Sequence, residues 1–239
     1  MKSSAWDKIW RASNRSARAD FSGSLLDNLI NQYKIDFIRP FLPDSGHAVE
    51  IGCGSARLLA GIGKVTHLSL VAVDSSLEAL DLACETSKLF SKPIECICAD
   101  AQHLPFTDNS FDIVLSGGLL EHFPDPQPVL ASMVRILRPG AIFYADVVPR
   151  KFSLFRIREL GRMLRSQWLM PGISESTHGP SYYIKQLEAL GCTDIRVKSC
   201  GIYLPWKTAV AWNITRWLDG TVIARWFGWY FMITARRSR

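Results

Sequence analysis

Val49-Glu50-Ile51-Gly52-Cys53-Gly54-Ser55 is an apolar run ending in a tight glycine turn, and Val71-Ala72-Val73-Asp74 follows as a second apolar run that closes on an acid. A strand that turns through glycines into a helix brings backbone N–H groups close to a ligand that side chains would otherwise hold off. An acid at the tip of the neighbouring strand stands where ribose hydroxyls need an acceptor. The two runs together read as a nucleoside-cofactor pocket.

What the glycine pattern lacks narrows the cofactor. A dinucleotide loop needs Gly-x-Gly-x-x-Gly so that its helix can pack against the strand while its N-terminus meets a pyrophosphate. Here the third position is Arg57, large and charged. Two residues before the first glycine stands Glu50, an acceptor for a cationic ligand such as the ammonium of an amino acid. This combination suits S-adenosylmethionine and not NAD.

From His47 onward, short apolar runs alternate with helix-like segments, the pattern of a parallel sheet covered on both faces. Strands are expected at 47–51, 69–73, 94–98, 112–116 and 141–147, with helices at about 55–64, 76–88 and 126–137. Two further strands are expected at Asp194–Tyr203 and Phe231–Arg236, and a helix at 182–190. Before the sheet, Leu25, Leu26, Leu29, Ile30 and Tyr33 recur at helical spacing until Pro40 and Pro43 stop the pattern. One α/β domain accounts for 239 residues. It divides into a helical cap (1–45), a cofactor-binding core (46–149), a basic lid with its helix (150–192) and a C-terminal strand pair with an intervening helical segment (193–239).

Five pieces stand in order along 47–149: Glu50-Ile-Gly-Cys-Gly-Ser55; Asp74; the stretch from Ala99-Asp100-Ala101 to Asn109-Ser-Phe-Asp112; Leu120-Glu-His-Phe123; and Arg135-Ile-Leu-Arg-Pro-Gly140. In this order they resemble the class I S-adenosylmethionine-dependent methyltransferases, most closely the branch that modifies ubiquinone, menaquinone and other small molecules. The resemblance implies a Rossmann-like α/β fold whose seven-stranded, mostly parallel sheet has its last strand inserted antiparallel. It implies that Glu50, Gly52, Cys53 and Gly54 surround the methionine and ribose portion, the helix N-terminus after them favouring the methionine carboxylate. It further implies that Asp74 and Ser75 meet the ribose, Asp100 and Ala101 the adenine, and Ser116 the methionine amine through its backbone. S-adenosylhomocysteine is then the product.

Methyl transfer from a sulfonium is an in-line displacement, so alignment matters more than catalytic side chains. A base is needed only where the acceptor atom carries a proton. His122, just after the fourth strand and with an unperturbed pKa near 6.5, is the candidate base. It also resembles a residue that shapes the cofactor pocket in the family, and both readings stand. Glu121 reads as solvent-facing. His178 and Tyr182, in a Gly-Pro segment, read either as acceptor-pocket lining or as loop packing. Trp6 and Trp10, one helical turn apart, resemble an aromatic cap over the cofactor.

The 28 Lys and Arg against 22 Asp and Glu, a net +6, are too modest an excess to imply nucleic acid. The excess is concentrated: Arg150, Lys151, Arg156, Arg158, Arg162 and Arg165 face a single acid, Glu159. Leucines and an isoleucine interleave with them, giving a basic amphipathic helix at the mouth of the site. Arg158 and Arg162 are its candidate acceptor-binding residues. It is a solvated face, a collector of an anionic acceptor, or a peripheral contact with an anionic membrane. A second stripe, Val210, Ile214, Trp217, Leu218 and Val222, with Trp212, Trp226 and Trp229 nearby, reads as core packing or, alternatively, as membrane contact.

A nucleic-acid methyltransferase is the main alternative. It is disfavoured because Ser116-Gly-Gly-Leu119 stands where amine methylators of bases carry Asn/Asp-Pro-Pro-Tyr/Phe. A non-catalytic cofactor-binding module is the other alternative. The six cysteines have no Cys-x-x-Cys pair and no histidine at ligand spacing, so no metal site is expected and they read as buried apolar residues in a reducing cytosol. The opening Met1-Lys-Ser-Ser-Ala-Trp-Asp-Lys8 lacks the apolar core of an export signal, which points to the cytoplasm. The acceptor is read as a small molecule, and the oligomeric state is not legible.

Overall fold

In the computed structural model, which describes residues 6–8, 10–11, 25–150, 175–202 and 209–239, the elements follow a β/α alternation. In chain order they are α1 (Leu25–Ile38), β1 (Ser45–Ile51), α2 (Arg57–Gly63), β2 (His67–Asp74), α3 (Leu77–Phe90), β3 (Ile94–Cys98), β4 (Phe111–Gly117), α4 (Gln127–Ile136), β5 (Leu137–Val147), α5 (Pro180–Ala189), β6 (Cys192–Cys200), α6 (Ala209–Leu218), α7 (Val222–Phe227) and β7 (Tyr230–Arg237).

Successive side chains of a strand point to opposite faces, and here that alternation splits the central strands between two cores. Ile51, Val73, Val114 and Phe143 belong to one cluster, and Ala48, Ala72, Leu115 and Tyr144 to the other. Strands apolar on both sides need helices on both sides. Leu130, Met133 and Ile136 of α4 and Leu187 of α5 cover the first face. Ile38 of α1, Leu59 and Ile62 of α2 and Leu80 of α3 cover the second.

Among the described residues the strands form one seven-stranded sheet in the order β3-β2-β1-β4-β5-β7-β6. The first five run parallel, and β7 inserts antiparallel between β5 and β6. The order reverses between β1 and β4, which opens a crevice beyond their carboxyl ends. This is the class I arrangement expected from the sequence.

Boundaries differ where local chemistry intervenes. β5 begins at Leu137, ahead of the expected 141, because Leu137 pairs with Phe111 before a register shift carries pairing to Ile113 and Ile142. α5 begins at Pro180 and not at 182, proline being suited to a first helical turn where no N–H is needed. The C-terminal stripe departs further. Trp212 is partly buried and meets the Tyr33 ring edge-on at 6.3 Å, but Trp217 is 77% and Val222 71% exposed. The reason is that α6 turns Thr215 inward, where its hydroxyl donates to the Ile202 carbonyl at 2.8 Å. The cysteines divide likewise: Cys53, Cys192 and Cys200 are buried, whereas Cys84 and Cys98 are exposed. No helix among the described residues is long and apolar enough to cross a membrane.

Two of the sequence motifs turn out to brace the frame. The Arg135 guanidinium donates to the carbonyls of Leu104 (3.0 Å) and Phe106 (2.7 Å) and to Asp108 Oδ1 (2.7 Å). Asp112 accepts from the His47 backbone N–H at 2.8 Å and from Arg138, tying the start of β1 to β4 and β5. Leu115, fully buried in the central strand β4, tests the frame itself. Leu115→Ala should cost about 2–5 kcal/mol, measured as a fall in urea midpoint at unchanged slope.

Candidate active site

Where the strands end, a cavity of about 720 Å³ opens, within the range of small-molecule sites. Each of the five parallel strands contributes to its wall: Glu50 and Ile51 from β1, Val73 and Asp74 from β2, Ala99 to Ala101 after β3, Gly117 and Gly118 at the end of β4, and Asp146 from β5. Trp6, Trp10, Lys34 and Trp229 close it from outside the sheet, and Tyr230 from the start of β7.

The glycine turn is held by acids. Asp74 Oδ2 accepts the Gly54 N–H at 3.0 Å and Oδ1 accepts the Ser76 N–H at 2.9 Å. Gly54 has φ +50 and lies against Trp10, whose ring would stand 2.6 Å from any Cβ placed there. Only a residue without Cβ fits both the conformation and the contact. Glu50 Oε2 accepts the Leu59 N–H at 3.2 Å, satisfying one of the donors left open at the start of α2. Ala56 precedes that helix without a side-chain cap, so Glu50 from the strand does the capping.

Burial pushes Glu50 up to about 8, the charges of Asp146 and Asp74 adding to the effect, while the Leu59 N–H and Lys34 oppose it. Burial also raises Asp74, against the N–H groups of Ser76 and Gly54. Beside Glu50 lies Asp146, buried, with Lys34 Nζ at 2.8 Å and the Tyr144 hydroxyl at 3.1 Å. A Cβ on Gly117 would lie 3.3 Å from Asp146 Oδ1 and 3.7 Å from Glu50 Oε1. Two buried carboxylates thus converge on one bare glycine with a single lysine beside them, an arrangement with room and charge for a further cation. The residues present fit an amino-acid ammonium and a sulfonium.

The aromatic cap is anchored on α3. Ser76 Oγ donates to Asp7 Oδ1 at 2.7 Å, and Arg11 pairs with Glu78 at 2.7 Å. Trp6 then meets the His122 ring edge-on, centroids 4.7 Å apart.

Of the residues expected from sequence, Glu50, Gly52, Cys53, Gly54, Asp74, Ser75, Asp100, Ala101 and His122 all line the cavity. Asp100 is exposed, Oδ1 accepting the Gln102 N–H at 2.9 Å. Ser116 is not in the wall: its side chain is buried behind it, and Gly117 and Gly118 take its place. His178 and Tyr182 are also outside the wall. Their rings stack at 3.9 Å and bind the Pro124–Asp125 turn, through the Pro124 carbonyl and Asp125 Oδ1. Arg158 and Arg162, with the basic helix, lie outside the described residues. Glu121 reverses its expectation: it is 2% exposed, with Oε2 unpartnered among the described residues.

Sequence reasoning missed Lys34 and Asp146. Asp146 carried a signal, since it ends a parallel strand as Asp74 does; Lys34 lies in a helix and carried none.

Residues 49–145 match the family model of a methyltransferase domain. The chain carries a methyltransferase domain on the class I, S-adenosylmethionine-dependent fold. It is 26% identical over 163 residues, 67% of each chain, to a ubiquinone biosynthesis O-methyltransferase of Coxiella burnetii. Its fold matches an S-adenosylmethionine-dependent methyltransferase of Thermotoga maritima with a TM-score of 0.69 at 17% identity, covering 98% of this chain and 100% of that one. A phosphoethanolamine N-methyltransferase of Haemonchus contortus, solved with S-adenosylmethionine, matches with a TM-score of 0.63 at 17% identity over 87% of this chain and 53% of that one.

Glu121 offers a test of the buried charge in this methyltransferase. Burial first, and the Asp146 and Glu175 charges besides, push its carboxyl up to about 8, the backbone N–H groups of Glu121 and Val148 opposing. A carboxyl raised in the folded state stabilises the fold fully below its unfolded pKa of about 4.3 and loses that contribution as pH rises through the folded value. Glu121→Gln should therefore gain stability relative to the parent between pH 5 and pH 8, read from urea midpoints at the two pH values. A constant gap would contradict the raised carboxyl.

Proposed function

We propose that this methyltransferase acts on a small, hydrophobic or anionic metabolite, methylating an oxygen, nitrogen or carbon atom. The observation that carries the reading is the cavity's two kinds of wall: buried acids from the strand ends, and aromatic rings, Trp6 from the cap, Phe123 from the turn after β4, and Trp229 and Tyr230 at the start of the last strand. The acids suit a cationic donor. The aromatic surfaces suit an acceptor with an apolar body. A relative named for O-methylation in ubiquinone biosynthesis supports a small-molecule acceptor.

Glu50 and Asp146 would hold the ammonium of the cofactor, Asp74 and Ser75 its ribose, Asp100 and Ala101 its adenine, with Gly52, Cys53 and Gly54 supplying close backbone. When bound, the cofactor supplies an electrophilic methyl group on a positively charged sulfur. The chain's own share is alignment and exclusion of water. Trp6 and Trp10 cover the glycine turn, and His122 Nδ1 or Nε2 takes the proton from an acceptor hydroxyl or amine. The six cysteines, free in the structure, support a reducing, cytoplasmic setting. The basic segment 150–165 and peripheral contact with an anionic membrane are part of the same proposal, as sources of an anionic or lipid-soluble acceptor.

Incubation with methyl-labelled S-adenosylmethionine and a cell extract should place label in a small organic product identified by mass spectrometry. Label confined to RNA or DNA would overturn the acceptor class. Asp74→Ala should weaken S-adenosylhomocysteine binding by about 1–3 kcal/mol, since buried donors lose their acceptor. An unchanged calorimetric affinity would contradict the ribose assignment. His122→Gln should lower kcat by about 10²–10⁴-fold at unchanged cofactor affinity if His122 is the base. An unaltered kcat would leave it as cavity wall alone.

A further inference from the structure

Six of the nine exposed large hydrophobics among the described residues, Ile214, Trp217, Val222, Ile223, Trp226 and Phe227, fall within residues 214–227 on α6 and α7. Single exposed apolar side chains are ordinary; a cluster of this density is not. Both helices are turned against the usual pattern: α6 buries Thr215 and α7 buries Ala224, while Trp217 and Trp226, 77% and 70% exposed, look outward. We propose that this outer face docks on the headgroup layer of an anionic phospholipid bilayer and delivers a lipid-soluble acceptor to the cavity. The delivery half rests on the hydrophobic-acceptor reading above; the docking half does not.

Charge selects the occupant. Exposed Arg216 and Arg225 stand among the apolar residues. The acid between the two helices, Asp219, is turned inward, its Oδ1 accepting the Gly201 N–H at 3.0 Å. A second copy of the same face would bring arginine toward arginine with no exposed acid of 212–227 to answer them. Anionic headgroups answer them directly. Tryptophan, with an apolar body and one N–H donor, is suited to the layer between headgroup and acyl chain. The chain also connects the face to the site: α7 ends at Phe227, and Trp229 and Tyr230 immediately beyond it are cavity wall. A molecule leaving the bilayer under α7 therefore meets the aromatic side of the cavity.

The test is co-sedimentation of the full chain with phosphatidylcholine vesicles, with and without phosphatidylglycerol, together with tryptophan emission. The expected result is recruitment to the anionic vesicles with a blue shift. The Trp217→Glu/Trp226→Glu variant should bind them at least about tenfold more weakly while keeping its calorimetric affinity for S-adenosylhomocysteine, which shows that it is folded. No recruitment of the parent chain would overturn the proposal. So would equal recruitment of the variant, which would move the contact to the arginine-rich segment 150–165. A dimer in sedimentation velocity that the variant dissociates, with vesicles ignored, would assign the face to a second copy instead. Vesicle binding without methyl transfer to any lipid-soluble acceptor would overturn the delivery half and leave the docking standing.

Discussion

The carboxylate of Asp74 receives the N–H groups of Gly54 and Ser76 at once, and the geometry of the site depends on that double contact. One bond holds the glycine turn after β1 against the end of β2. The other holds the start of α3, and through Ser76 and Asp7 it reaches the aromatic cap. A carboxylate has about four acceptor positions, so Asp74 can organise the loop and still meet a ligand. The residue expected to bind ribose is also the one that shapes the turn around it, and the two duties cannot be separated by deleting it.

Charge imposes the second constraint. Glu50, Asp74 and Asp146 are all buried, and Lys34, a cation of the same wall, stands 2.8 Å from Asp146. An unpaired buried carboxylate is costly and tends to hold its proton, which is the direction found for Glu50 and Asp74. A cationic ligand reverses that cost. On the proposed assignment, ionisation of Glu50 would be favoured by the ligand, and the ligand by the ionised Glu50, so affinity for a sulfonium-bearing amino acid would be linked to proton release.

The fold was almost wholly legible because its strands are apolar on both faces and its turns are punctuated by glycine and by acids. The placement of Glu50, Gly54 and Asp74 in the cavity wall was legible for the same reason. The legibility ended where position in space is decided by elements distant in sequence. Lys34 reaches Asp146 from a helix before the sheet, and nothing in its neighbours marks it. Glu121 was misread because a charged residue beside a turn usually faces water; here the segment at 175–176 folds back, the Ser176 N–H donating to the Glu121 carbonyl at 2.6 Å. Sequence left the tryptophan stripe open between core and surface because periodicity gives the face of a helix but not the direction in which that face is turned.

The same distinction explains why the family was easier to recognise than the acceptor. Arg135 and Asp112, two of the ordered motifs, bind backbone carbonyls, an amide and neighbouring side chains. They brace the frame of this chain, and neither lines the cavity. On the proposed reading, selection of the acceptor would fall to surfaces outside that frame: the cap at Trp6 and Trp10, the wall at Trp229 and Tyr230, and the outward face of α6 and α7. In this chain those surfaces share one chemistry, broad aromatic area beside positive charge. That chemistry discriminates by phase and by charge more than by the hydrogen-bonding pattern of one metabolite, so an acceptor drawn from an apolar, anionic boundary is the kind that it would favour.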